Sequence, residues 1–172
     1  MYTMDFYEVL QQRRSFRGYD SSRAIPEGSL QNIMRAVQCA PSACNRQPWR
    51  FEIVFNAALR KAIGECYPKP WLLEAPAIVV AIADYSTCWT RLEGTPAAEI
   101  DLGIAREHLV RAAAAEGLGT CWICAFEKAK LNNVMQVEAP WSVEAITPLG
   151  FANSAPRDIA YKDINEIFKV VK

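Results

Sequence analysis

The run Ala77-Ile78-Val79-Val80-Ala81-Ile82-Ala83 constrains this chain more than any other feature. It is apolar without alternation and rich in β-branched residues, so it fits a central strand covered on both faces rather than a half-exposed one. Asp84 ends it. A strand of that kind requires a layer of structure above it and another below, and the rest of the sequence offers helices for both.

Helical patterning opens at Asp5–Gln12 and returns after Pro26, where Leu30, Ile33, Met34 and Val37 follow the i, i+3, i+4, i+7 rule for one buried face, until Pro41 closes the segment. Trp49–Phe55 alternates, with Trp49, Phe51, Ile53 and Phe55 expected on one face of a strand. A short helix over Ala57–Cys66 follows, and Tyr85–Pro96 reads as a loop over the surface or over a pocket. A long helix spans Ala98 to Glu116 and stops at Gly117, a residue suited to the left-handed turn after a helix. Thr120–Cys124 is expected to be extended, Glu127–Val137 helical and Val143–Phe151 a strand. Lys162–Lys172 is expected to close the chain as an amphipathic helix through Ile164, Ile167, Phe168 and Val171. Interleaved helices and strands mean a sheet covered by helices.

No repeat, low-complexity tract or Gly/Ser-rich linker interrupts the 172 residues, so one domain over 1–172 is expected, and half of the chain is apolar, enough for a core without disulfides. Nineteen basic residues cancel nineteen acidic ones. That balance argues against a nucleic-acid binder or a protein adsorbed on a membrane surface, and makes any anion site local. The longest apolar run, Ala75–Ala83, is about half of what a bilayer-spanning helix needs. With Asp5 and Glu8 where a signal peptide would carry positive charge, the chain reads as cytoplasmic, and Cys39, Cys44, Cys66, Cys88, Cys121 and Cys124 read as reduced thiols.

Two stretches suggest binding chemistry. Arg13, Arg14 and Arg17, with the Ser15 hydroxyl, fall within five residues after the first helix, where guanidinium groups can converge on a phosphate through bidentate, charge-assisted bonds. A solvated basic turn at a helix end would look the same. Ala40–Trp49 holds Ser42, Asn45 and Gln47 among small and turn-forming residues, and offers donors and acceptors to a ligand that alternates the two. It would also serve as an ordinary helix-to-strand connection.

Together with Gly117-Leu118-Gly119-Thr120-Cys121-Trp122-Ile123 after the long helix, these stretches resemble the nitroreductase family of FMN-dependent oxidoreductases in order and separation. Asp101, Glu107-His108-Leu109 and Pro148-Leu149-Gly150 match as well. The resemblance implies an α+β fold, a central mixed but mostly antiparallel sheet flanked by helices, in an intertwined homodimer. It implies FMN as cofactor, NADH or NADPH as hydride donor, and a small nitroaromatic, quinone or similar acceptor.

By the same resemblance, Arg13, Arg14, Ser15 and Arg17 contact the phosphate and the polar edge of the ring. Pro41, Ser42, Ala43 and Asn45, with Gln47 in the same loop, reach the flavin from the partner subunit. The backbone of Cys124 and Ala125 lies beside flavin N5 and O4, so no side chain is expected to act as a catalytic group and no metal is expected. Of the two basic residues the family usually carries near its C-terminal end, only Arg157 has a counterpart, since Asp158-Ile159-Ala160 follows. The chain is also short between Trp49 and Asp101, where longer members shape the acceptor pocket.

Other readings compete. A flavin-binding protein without turnover would need the same residues. Cys121-Trp122-Ile123-Cys124 is formally a C-x-x-C, although residues three apart in a strand face opposite ways, which disfavours a thiol oxidoreductase, and no second close cysteine pair supports a zinc site. His108, the only histidine, reads as structural. Trp71, Trp89 and Phe126 could stack on a planar ligand but suit a core equally.

Overall fold

The computed structural model describes residues 5–172. Its centre is an antiparallel sheet of four strands, β1 (Trp49–Val54), β2 (Ala77–Asp84), β3 (Gly119–Thr120) and β4 (Trp141–Gly150), in the order β1-β2-β4-β3. Among the described residues the expected mixed character is confined to one isolated parallel bridge, Ser15 to Thr120.

Every residue of β2 is buried, as its unpunctuated run requires. Alternate side chains serve two layers. Ile78, Val80 and Ile82 pack with Ile63 and Cys66 of α3 (Ala57–Cys66) and with Leu131 and Met135 of α5 (Lys128–Met135). On the opposite face, Ala77 and Val79 meet Leu30 and Ile33 of α2 (Glu27–Gln38) and Leu109, Val110 and Ala113 of α4 (Ala98–Ala115). Trp49, Phe51 and Ile53 of β1, opposite Ala83, Ala81 and Val79, join that second layer. Phe55 does not: the strand ends at Val54, and Phe55 is exposed.

The helix ends follow local chemistry. Asp5 caps α1 (Phe6–Gln12) by accepting from the Tyr7 and Glu8 N–H groups, while Glu8 accepts from the Asp5 N–H, a reciprocal capping box. At the end of α4, Gly117 takes φ 72°, and the N–H groups of Gly117 and Leu118 donate to the Ala114 and Ala113 carbonyls. That pair of bonds is a Schellman turn, and the left-handed residue within it favours glycine.

Two expectations fail on tertiary grounds. Strand pairing after Gly117 covers only Gly119 and Thr120 plus a bridge from Ile123 to Ile146, because the chain leaves the sheet edge in between. At the C-terminus only Ile164–Ile167 (α6) is helical, and Ile164, Ile167, Phe168 and Val171 are exposed. An amphipathic face holds a short helix only when it packs on something, and among the described residues this face is left exposed.

Gly150 closes β4 against Pro76. A Cβ there would lie 2.9 Å from Pro76 Cγ and closer still to Cδ, and a proline ring cannot swing aside. Gly150→Ala is expected to cost about 1–3 kcal/mol of overpacking. Gly28→Ala, where a Cβ meets no atom within 4 Å in α2, is expected to leave stability unchanged or raise it. Paired urea titrations check both.

Candidate active site

The arginine turn is built onto the sheet edge rather than left in solvent. Phe16 N–H donates to the Thr120 carbonyl (2.9 Å), next to the Ser15–Thr120 bridge, and seats the turn beside β3. Tyr19, 1% exposed, donates its hydroxyl to the Phe16 carbonyl (3.0 Å) and its N–H to Glu74 Oε2 (3.1 Å). Burial pushes the Tyr19 phenol strongly up, so it is a structural hydrogen-bond donor at any ordinary pH.

From the other end of the chain, Asn153 binds the Tyr19 carbonyl through Nδ2 (2.9 Å) and the Gly18 carbonyl through its N–H (3.2 Å). Arg14 then donates to the Arg157 carbonyl at 2.5 Å. The structure therefore brings Arg157 to the arginine turn, through its backbone.

Cys121 lies against the same turn. Burial raises its thiol, opposed by Arg17, a hydrogen bond with Ser15, Arg106 and Arg13. Arg13, Arg14 and Ser15 are half-buried and Arg17 is exposed. Among the described residues none of Arg13, Arg14, Arg17 or Arg157 forms an ion pair. Three guanidinium groups within five residues, without ion-pair partners among the described residues, concentrate positive charge locally in a chain of zero net charge.

Residues 41–47 form a second, separate constellation. The loop contains a short 3-10 turn (Ala43–Asn45), and Cys44, Asn45 and Gln47 all have positive φ, at 52°, 50° and 49°. Left-handed backbone at three non-glycine residues is uncommon, costs energy at each, and concentrates at binding sites. Ser42 Oγ accepts from Gln47 N–H (2.9 Å), Asn45 Oδ1 accepts from Gln47 Nε2 (3.1 Å), and Arg46 donates to the Cys88 carbonyl (2.8 Å). Pro41, Asn45 and Gln47 are exposed, and Ser42 and Ala43 are half-buried. Among the described residues, no hydrogen bond joins this loop to residues 13–17 or 121–125.

Asp101, in the first turn of α4 and 3% exposed, anchors the loop by accepting from Ala43 N–H at 3.1 Å, while its Oδ2 has no partner among the described residues. Asp101→Ala is expected to orphan the Ala43 N–H and cost about 1–3 kcal/mol; Asp101→Asn, which keeps an acceptor there, should cost less. Chemical denaturation of the two variants tests the order.

Cys124 and Ala125 are exposed, and Cys124 lines a cavity of about 320 Å³ together with Leu102 and Arg106 of α4, Trp122, Phe126, Lys128 and Glu144, among others. Cys121, in contrast, is buried beside the arginine turn, so the two sulfurs of the C-x-x-C sit in different surroundings. Phe126 packs on the core and also lines the cavity; Trp71 packs against the core beside Tyr67, and Trp89 is half-buried. His108 Nδ1 meets the Ala36 carbonyl at 3.0 Å and ties α4 to α2.

Arg106, which lines the cavity, and Tyr85, which bonds to two of its lining carboxylates, are the groups that sequence reasoning passed over. Tyr85 reaches both Glu99 and Glu144 at 3.0 Å, and burial followed by these carboxylates pushes its phenol strongly up. Arg106 carried a readable signal: it stands between Leu102 and Leu109 on the apolar face of α4, where a charge demands a reason.

A family model described as the nitroreductase family matches residues 10–67 and 65–151. The chain belongs to the nitroreductase family. A Methanothermobacter thermautotrophicus protein bearing the provisional name NADH dehydrogenase/NAD(P)H nitroreductase is 30% identical over 167 residues, covering 91% of this chain and 83% of its own. Among solved structures, a nitroreductase family protein from Clostridium novyi NT is 32% identical with a TM-score of 0.78 over 87% of each chain. An FMN-dependent nitroreductase from Clostridium difficile R20291 is 25% identical with a TM-score of 0.74, covering 91% of this chain and 92% of that one.

Proposed function

We propose that this chain, as a single domain over residues 1–172, binds FMN non-covalently and passes hydride from NADH or NADPH to an electron-poor small molecule such as a nitroaromatic or a quinone. The observation that carries the reading is the arginine turn. Among the described residues its guanidinium groups form no ion pair, and its backbone is held to the sheet edge at Thr120, beside the segment that leads to Cys124 and Ala125. That donor set fits a phosphate.

Arg13, Arg14, Ser15 and Arg17 would hold the phosphate and the polar edge of the ring, with Arg157 adding its charge nearby. FMN, when bound, supplies the two-electron chemistry at N5. The exposed backbone of Cys124 and Ala125 would face N5 and O4, where an N–H steadies the charge that develops. Pro41, Ser42, Ala43, Asn45 and Gln47 would meet the same cofactor from the partner subunit of a homodimer. That assignment gives the strained loop a purpose and agrees with its separation from the turn within one chain. Among the described residues no helix is long and apolar enough to cross a membrane, and the proposed setting is the cytoplasm.

Anaerobic addition of NADH or NADPH to the yellow protein tests the proposal. Rapid bleaching, reversed by a nitroaromatic or quinone, is expected; a persistently oxidised spectrum would favour a flavin carrier without turnover. Replacing Cys121 and Cys124 by serine should leave most of the activity, whereas a thiol oxidoreductase would lose it.

A further inference from the structure

Arg106 is 2% exposed, yet it is a full charge. Its guanidinium donates to the Ile146 carbonyl (2.8 Å), Thr147 Oγ1 (3.2 Å), the Ile123 carbonyl (3.4 Å) and Cys124 Sγ (3.5 Å), and it stacks over the Trp122 ring at 3.9 Å. None of these partners is a carboxylate, and among the described residues Arg106 forms no ion pair. Burial brings its pKa down to about 10, which leaves it protonated at neutral pH. The acids of the adjoining cavity are engaged elsewhere: Glu144 pairs with Lys128 at 2.6 Å, and Glu144 and Glu99 both meet the Tyr85 hydroxyl.

A cation kept from water without a counter-anion is expensive, and an apolar side chain of similar size would fill the same space at less cost. The hydrogen bonds place the charge behind one short segment: Trp122 covers it, and Ile123 and Cys124 both bind it.

We propose that Arg106 is a positioning residue that fixes the backbone at 122–124 and stabilises the negative charge the flavin ring gains on reduction. This rests on the reading that Cys124 and Ala125 lie beside flavin N5. With FMN bound, hydride transfer from the nicotinamide would form the N5–H bond, leave the nicotinamide as its cation and give the ring, neutral before, one negative charge. A guanidinium held by five fixed contacts needs no reorganisation when that charge appears, and shielding from water lets it act at a distance. It therefore favours reduced over oxidised flavin, on the N5 and O4 side of the ring, opposite in role to the phosphate-holding arginines, whose target carries the same charge in both redox states.

The test is the midpoint potential of bound FMN, measured by equilibration with a redox dye, together with the dissociation constants of oxidised and reduced FMN, in the wild type and in Arg106→Lys, Arg106→Gln and Arg106→Met. The neutral variants are expected to weaken reduced FMN relative to oxidised by about tenfold, a fall of about 30 mV for a two-electron couple, while Lys retains most of the wild-type value. An unchanged potential in Arg106→Gln with oxidised FMN still bound overturns the inference. Should neither neutral variant fold, the wild type decides: a bound potential more negative than that of free FMN overturns it. Wild-type protein that takes up no FMN at all sinks the FMN reading itself, and this inference with it.

Discussion

Replacing Arg13 and Arg17 together by alanine is expected to yield a folded protein that has lost FMN. Neither side chain belongs to the buried core, and the contacts that seat their turn run through Phe16 N–H, the Tyr19 hydroxyl and Asn153, which the double variant retains. What disappears is charge. A hydrogen bond from a guanidinium to an ionised group is worth about 1.5–3 kcal/mol, so losing two raises the dissociation constant by roughly a hundredfold or more. Titration of FMN fluorescence measures that change, and the far-ultraviolet dichroism should stay that of the wild type. Binding within threefold of wild type would remove the arginine turn from the cofactor site.

Ile82→Ala carries the largest expected effect on stability. Ile82 is wholly buried in β2 and packs in the layer that holds Ile63, Leu131 and Ile146, with sheet on both sides and helices above. Truncating such a residue leaves a cavity that a strand fixed by two neighbours cannot close, at a cost of about 2–5 kcal/mol. For a chain of this length that lowers the melting temperature by roughly 5–15 °C. Leu92→Ala, at a fully exposed leucine, is the control and should not move it. A loss below 1 kcal/mol at Ile82 would mean that the α3 and α5 layer is loosely packed.

Much of this architecture is legible in the sequence, and the reasons differ by element. β2 was legible because burial on both faces leaves no polar punctuation, and the end of α4 because a left-handed residue there favours glycine. The C-terminal helix was overread: Ile164, Ile167, Phe168 and Val171 have helical spacing, but periodicity records what a segment could bury and says nothing about whether a surface is present to receive it. The extended stretch after Gly117 was overread for a related reason, since pairing depends on where the edge of β4 runs.

The site was legible as residues and illegible as geometry. Arg13, Arg14 and Ser15 could be named from the sequence, but their attachment to Thr120 and to the stretch 152–157 joins positions more than a hundred residues apart. Arg106 escaped because a helix of alanines, leucines and charges hides one more charge among the others, and only its place in the stripe between Leu102 and Leu109 marks it.

The latch between Tyr19 and Asn153 has a consequence for biosynthesis. The arginine turn is translated well before the groups that hold its shape, Thr120, Phe151 and Asn153, which follow it by a hundred residues or more. A nascent chain must therefore carry three guanidinium groups without a defined arrangement until those distant residues have been made, so the shape of the turn reports that the long loop between them has closed.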